Sequence, residues 1–273
     1  GNLAENSGGP KAVKYGTTKD YVLNLEVVLA NGDVIWTGAN VLKNSTGYNL
    51  TQLVTGSEGT LGIITKIVVR LLSLPKENLL MLASFNSIDA PCLAVSNILN
   101  AGITPSGIEY MERNAVEWSM KFADINLNLE DDMQAILLIE VDGNSVETLY
   151  KECEGINTIL EKQGCGNVFF ADTELEKERL WKVRRICGEA VHAHSVYKEE
   201  DTVVPRFYLA QLLKYIKQIG KDYGFESVCY GHAGDGNLHV NILKGSLTEH
   251  EWDITVKEGI RKIFEKCQSL GGT

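Results

Sequence analysis

Two histidines set among glycines give the chain its clearest chemical signal. The stretch Gly231-His232-Ala233-Gly234-Asp235-Gly236-Asn237-Leu238-His239-Val240-Asn241 contains Asp235-Gly236. That pair is a strong two-residue hairpin signal, because a type I′ turn needs positive φ at both central positions. Alternating apolar segments flank it, Ser227–Gly231 and Leu238–Ile242. With the turn at Asp235-Gly236, Gly234 faces Asn237 and His232 faces His239, their Cβ atoms about 4.5–5.5 Å apart. Tyr230 and Asn241 then fall on the same face. Two imidazoles so placed can hold one divalent metal, and Gly231, Gly234 and Gly236 suit close approach of a ligand. The plainer alternative is two ordinary polar residues on a hairpin. A tight metal site takes three or four donors, so the others must come from elsewhere.

A second constellation lies on a helical pattern over residues 174–194. Trp181, Arg184 and Gly188 follow i, i+3, i+7 spacing and share a face, beside the apolar stripe Leu180, Val183, Cys187 and Ala190. A planar guanidinium binds both oxygens of a carboxylate, and Gly188 leaves room beside it; the alternative is a salt-bridged surface arginine. Lys198, followed by Glu199-Glu200-Asp201, is a further candidate cation. His192 and His194 are two residues apart and cannot share a helix face. A third signal is the run Gly56-Ser57-Glu58-Gly59-Thr60-Leu61-Gly62 ahead of the strand-like Ile63–Leu72. It lacks the Gly-Lys-Ser/Thr of a phosphate loop, and a strand follows where a dinucleotide fingerprint needs a helix. What remains is a glycine turn whose backbone N–H groups could cradle an anion, or a plain turn between strands.

The elements that must position these residues fall into two blocks. Residues 1–20 read as coil. Tyr21–Ala30 reads as a strand, turned by Asn31-Gly32-Asp33 into Val34–Trp36. Ser73–Asn78, with Pro75, marks a boundary. Beyond it, strands are expected near 79–86, 105–111, 134–142, 166–172, 200–204, 226–232 and 237–243. Helices are expected near 87–101, 145–163, 174–194, 205–223 and 248–269. The fold class is α+β: short strands with interleaved helices and at least one hairpin, the helices on one face of the sheet.

Composition narrows the partners. The formal net charge of −10 argues against nucleic acid, and no apolar run approaches the ~18 residues of a membrane span. None of the six cysteines forms a C-x-x-C pair, so they read as reduced thiols of a cytoplasmic protein. The chain opens on Gly1 without a methionine and reads as a piece of a longer protein.

Taken together, Gly1–Gly9 with Lys14-Tyr15-Gly16, Gly56–Ile64, Trp181-x-x-Arg184, Val204-Pro205-Arg206 and Gly231–His239 resemble the FAD-linked oxidase family. This is the group of D-lactate, glycolate and D-2-hydroxyglutarate dehydrogenases. The resemblance implies that residues 1–76 are the β-rich second half of an FAD-binding domain. It implies that residues 77–273 are a cap, or substrate, domain with a mostly antiparallel sheet covered by helices. Asn6, Gly8 and Gly9, with the backbone of Gly56, Ser57, Glu58, Gly59, Thr60, Gly62, Ile63 and Ile64, would contact FAD. His232 and His239 would ligate the divalent metal (zinc, manganese or iron). Arg184 would hold the substrate carboxylate, with Lys198 and Asn241 also at the catalytic site. The family's Ser-Gly-Glu-His-Gly-Ile-Gly segment, carrying a glutamate ligand and a histidine base, would follow Thr273, and the first half of the FAD domain would precede Gly1. The implied activity is oxidation of a D-2-hydroxy acid to the 2-oxo acid. Electrons would pass to an electron-transferring flavoprotein, a quinone or a cytochrome, and a homodimer is compatible. A non-catalytic flavoprotein subunit that relays electrons or assembles a complex is the alternative.

Overall fold

The computed structural model describes residues 1–273, which separate into two units, Gly1–Leu74 and Pro75–Thr273. In the first unit, α1 (Asn2–Glu5) and α2 (Ala12–Tyr15) precede β1 (Val22–Val28), β2 (Val34–Trp36), α3 (Leu50–Val54) and β3 (Ile63–Val69). The strands form an antiparallel sheet of order β2-β1-β3. Gly32, at φ 89°, closes the β1–β2 turn, and Leu29 N–H donates to the Asp33 carbonyl at 2.9 Å. The core is small, with Leu25, Val27 and Val54 buried. On β3, Ile63, Ile67 and Val69 are exposed.

The second unit runs β4 (Glu77–Phe85), α4 (Ala90–Asn100), β5 (Gly107–Glu112), α5 (Arg113–Ala123), β6 (Ala135–Gly143), α6 (Val146–Lys162) and β7 (Cys165–Ala171). It continues with α7 (Glu174–Arg185), α8 (Cys187–His194), β8 (Tyr197–Val203), α9 (Leu209–Tyr223), β9 (Glu226–Gly231), β10 (Asn237–Leu243) and α10 (Val256–Ser269). Seven strands pair antiparallel throughout in the order β7-β4-β6-β5-β9-β10-β8.

Helices cover both faces of this sheet, not one. Leu79, Met81, Ala83 and Phe85 of β4 pack with α4, α6, α9 and α10, whereas Leu80 and Leu82 pack with residues of α5, α7 and α8. Successive strand residues point to opposite faces. A strand apolar at both parities therefore needs cover on each side. The α5 helix, which sequence reasoning did not anticipate, supplies part of that cover through Ala115 and Val116. The expected single helix over 174–194 is broken at Ile186, between α7 and α8. A capping box fixes the start of α7: Thr173 accepts from Glu176 N–H at 3.2 Å, and Glu176 accepts from Thr173 N–H at 3.1 Å. That start sets the helix phase, which puts Arg184 toward the sheet.

Candidate active site

The β9–β10 hairpin holds the histidines, with a register that differs from the expected one. His239 pairs with Tyr230, and Asn241 with Val228. The turn is a longer one spanning His232–Gly236, not the two residues Asp235-Gly236. Asp235 and Asn237 N–H groups both donate to the His232 carbonyl, at 3.1 and 3.2 Å. The Asp235 side chain accepts from Asn237 N–H at 3.3 Å, an Asx-type closure that competes with the tight turn. The register moves by two residues, an even number, so every side chain keeps its face. His232 and His239 are therefore diagonal neighbours, not directly opposed, with ring centroids 5.8 Å apart at 80°.

The glycines around the pair make room for the chain itself. A Cβ on Gly231 would lie 2.4 Å from the Asn237 carbonyl oxygen, and one on Gly236, at φ +86°, would lie 2.0 Å from the Val204 carbonyl oxygen. Close backbone approach, and not a ligand, accounts for both.

The centre of the site is a residue that sequence reasoning missed. Glu109 of β5 is fully buried. Its Oε2 lies 2.6 Å from Arg184 Nε and 2.8 Å from His232 Nδ1, and its Oε1 lies 2.9 Å from the same Nδ1. The Arg184 Nε approach is an ion pair without hydrogen-bond alignment. Arg184 also stacks over Tyr230, Cζ to ring centroid 5.2 Å, and its terminal nitrogen lies 3.4 Å from His232 Nδ1. A carboxylate only accepts, so the proton on His232 sits at Nδ1 and Nε2 faces away from Glu109. Arg184, His232 and His239 are thus brought together as expected, with Tyr230 between helix and hairpin. The space beside Gly188 is taken by the Tyr230 hydroxyl, 3.4 Å from where a Cβ would stand.

Of the other two expected site residues, one lies on the opposite face and one is buried on the same face. Lys198 pairs with Ile242, and Glu199 with Asn241. Alternation then puts Glu199 and Asp201 on the His239 face and turns Lys198 to the opposite one. There its ammonium sits 3.9 Å from the centre of the Trp252 ring and donates to the Trp252 carbonyl. The Glu199 and Asp201 carboxylates each come within 3.5 Å of His239 Nδ1. Burial holds His239 below the usual histidine range, partly offset by Asp201. Asn241 does share the face, but it is fully buried. Its amide donates to the Val228 carbonyl at 3.4 Å, and its Oδ1 has no partner. Of the remaining histidines, His194 stacks on Trp118 and His192 packs edge-on against Tyr197.

In the first unit the expected flavin residues also converge. Gly56 and Glu58 N–H groups donate to the Leu3 and Ala4 carbonyls, each at 2.9 Å, and clamp the glycine run onto the N-terminal segment. Asn6, in the left-handed region at φ 51°, accepts from Lys19 N–H at 2.8 Å. Gly9 accepts from Ala12 N–H, while Gly8 lies against Thr17 and Ala12. Ser57, Gly59, Gly62, Ile63 and Ile64 line a cleft of ≈ 250 Å³. The anion-cradle expectation is corrected in part. The N–H groups of Gly56, Ser57, Glu58 and Thr60 donate to chain carbonyls, so they are not free for a phosphate.

The family of FAD linked oxidases, C-terminal domain, matches residues 74–273. The chain belongs to this family. An FAD binding domain matches residues 1–38. Glycolate oxidase subunit GlcD of Bacillus subtilis is 40% identical over 274 residues, covering 100% of this chain and 57% of that protein. D-lactate dehydrogenase of Anaerostipes hadrus is 35% identical, covering 100% and 58%. D-2-hydroxyglutarate dehydrogenase of Stutzerimonas stutzeri is 27% identical, covering 100% and 59%. The chain thus spans somewhat over half the length of these relatives. Among solved structures, p-cresol methylhydroxylase superposes with a TM-score of 0.75 at 16% identity, covering 100% of this chain and 60% of that one. An alkyldihydroxyacetonephosphate synthase gives 0.68 at 21%, covering 100% and 53%. At these identities the likeness is one of fold.

Proposed function

We propose that the chain is part of an FAD-dependent enzyme that oxidises a D-2-hydroxy acid of the lactate, glycolate or 2-hydroxyglutarate class to the 2-oxo acid. The observation that carries this reading is the cluster of Arg184, His232 and His239 around buried Glu109, in a chain of the FAD-linked oxidase family. Residues 1–76 would serve as the second half of the flavin domain and residues 77–273 as the cap.

FAD, when bound, supplies the two-electron acceptor chemistry. The Ser57–Ile64 cleft and the Asn6–Gly9 segment would contribute to holding it. Arg184 would bind the substrate carboxylate through its terminal nitrogens, since its Nε faces Glu109. That anchor fixes which face of C2 is presented, a positioning effect. His239, kept neutral by burial, would offer a ring nitrogen to the substrate hydroxyl. Asn241, fully buried, would not touch substrate.

The histidine pair is also where a divalent metal (zinc, manganese or iron) would bind. Carboxylates stand behind both Nδ1 atoms, Glu109 at His232 and Asp201 with Glu199 at His239. This is the arrangement that orients metal-ligating histidines. The fit is partial. No group of three His, Cys, Asp or Glu side chains suited to a metal comes together, so further donors would come from outside these residues. The acceptor would be an electron-transferring flavoprotein, a quinone or a cytochrome, with the enzyme in the cytoplasm. No helix is long and apolar enough to cross a membrane, and all six cysteines are free.

The test is the anaerobic visible spectrum of the full-length protein, before and after a panel of D-2-hydroxy acids. A flavin band bleached by one of them is the expected result. A flavin band that none of them bleaches would instead favour a subunit that relays electrons.

A further inference from the structure

In the reading above Glu109 only backs the imidazole of His232, yet its surroundings are unusual for a carboxylate. It stands on β5 opposite Leu138 of β6, on the sheet face whose other members include Met111, Ile136, Leu138 and Tyr230. Both oxygens are engaged, and their partners come from separate elements. Arg184 reaches it from α7, and His232 reaches it from the tip of the β9–β10 hairpin. The tip is itself tied to β5, through Gly234 N–H donating to the Ile108 carbonyl at 3.1 Å.

We infer that Glu109 is the positioning residue of the site, setting the guanidinium of Arg184 and the imidazole of His232 in one fixed relation. The inference rests on the reading of Arg184 and His232 as substrate-facing groups. Two consequences follow from the geometry. At Arg184, Glu109 occupies the Nε side, so the terminal nitrogens are left to an incoming carboxylate. At His232, an acceptor at Nδ1 fixes the tautomer with the proton there, which bares Nε2 for a hydroxyl or a metal. One carboxylate therefore orients the group that binds the acid's carboxylate and a group that meets its 2-hydroxyl. In an α-hydroxy acid these two functions sit on adjacent carbons, so their receptors must be held in register.

The buried, fully engaged state also explains why Glu109 does not compete for the substrate's place. Its side chain is fully buried, with both oxygens turned to Arg184 and His232. Its negative charge offsets the guanidinium, so that an empty site does not carry an uncompensated cation.

The first measurement needs neither flavin nor substrate: the ring 15N shifts of His232 in the wild-type, metal-free protein. A protonated Nδ1 with a bare Nε2 is expected; a protonated Nε2 with a bare Nδ1 would overturn the inference without any variant. The second uses Glu109→Met, which nearly keeps the volume and removes both the charge and the acceptor at Nδ1. His232 should shift toward the Nε2–H form. In the full-length enzyme kcat/KM for D-lactate or glycolate should fall about 10–100-fold, the usual range for a residue that orients a ligating histidine. The loss should appear in kcat as well as KM, because orientation and not affinity alone is lost. A shifted tautomer with unchanged kcat/KM would overturn the positioning role, and so would an unshifted tautomer. Failure of the oxidase reading is separate: wild-type flavin would not be bleached by any hydroxy acid, whatever the tautomer.

Discussion

Replacing Arg184 should damage the fold and the site together, and the two effects can be sized. Its side chain is 9% exposed and that of Glu109 is 0% exposed, with Nε and Oε2 2.6 Å apart. Arg184→Met removes the guanidinium but keeps most of the apolar stem. It leaves the Glu109 carboxylate buried with only the neutral-capable His232 as partner. Breaking one side of a buried ion pair costs about 3–5 kcal/mol. For a unit of this size each kcal/mol lowers Tm by about 2–4 °C, so the expected drop is roughly 6–20 °C. Arg184→Lys keeps the charge that Glu109 needs and loses the planar fork. It should retain most of the stability while weakening substrate binding about 10–150-fold, the equivalent of one charged hydrogen bond worth roughly 1.5–3 kcal/mol. Calorimetry on both variants, with KM measured on the full-length enzyme, separates the roles. An Arg184→Met protein melting within about 2 °C of wild type would show that Glu109 is not an uncompensated buried charge without Arg184. The site geometry would then be wrong.

Three further outcomes follow from other parts of the structure. Lys217 donates to Glu112 Oε2 at 2.7 Å, and that oxygen also accepts from Cys229 N–H at 2.9 Å. Lys217→Met should therefore destabilise by roughly 3–5 kcal/mol in urea unfolding, and wild-type stability would remove the pair from the account. Gly236→Ala should cost at least about 1–3 kcal/mol from its positive φ alone, with the Val204 carbonyl 2.0 Å from the new Cβ adding to that; an unchanged Tm would contradict the turn. Burial pushes the thiols of Cys153, Cys165 and Cys267 up to about 11, and that of Cys229 to about 12, from 9.0. The folded state thus favours the protonated thiol. Its contribution is full below pH 9 and is lost as pH rises from 9 toward 11–12. Iodoacetamide should label the buried Cys153, Cys229 and Cys267 slowly at pH 8 unless the protein is unfolded, and fast native labelling of any of them would contradict that burial.

What could be read from the sequence was what depends on parity and local pattern. His232, His239, Tyr230 and Asn241 were placed on one face correctly even though the turn was wrong, because a two-residue register error preserves faces. Lys198 was given a site role only through the family resemblance, and on a strand a single residue of offset decides the face; it lies opposite Ile242, on the other side of the sheet. Glu199 was the residue turned to the site. The second helical layer was legible in principle: β4 is apolar at both parities from Leu79 to Phe85, which a one-sided sheet does not need. Glu109 was the harder case. It lies 123 residues from His232 in sequence, and no local pattern links them. The available signal was a carboxylate within the otherwise apolar run Ile108–Met111, since buried charges are paired. The glycines of the His-Ala-Gly-Asp-Gly stretch misled for a physical reason. Close approach to a ligand and close approach to backbone demand the same residue, and only the fold shows which neighbour is present.

The most direct test of the central claim is anaerobic flavin reduction by the two enantiomers of lactate in the full-length protein. In the proposed reading, a carboxylate anchored at Arg184 and a hydroxyl turned toward the histidines would fix which face of C2 is presented. The account predicts that D-lactate bleaches the flavin band and L-lactate does not. Equal bleaching by both enantiomers, or bleaching by the L form alone, would contradict it.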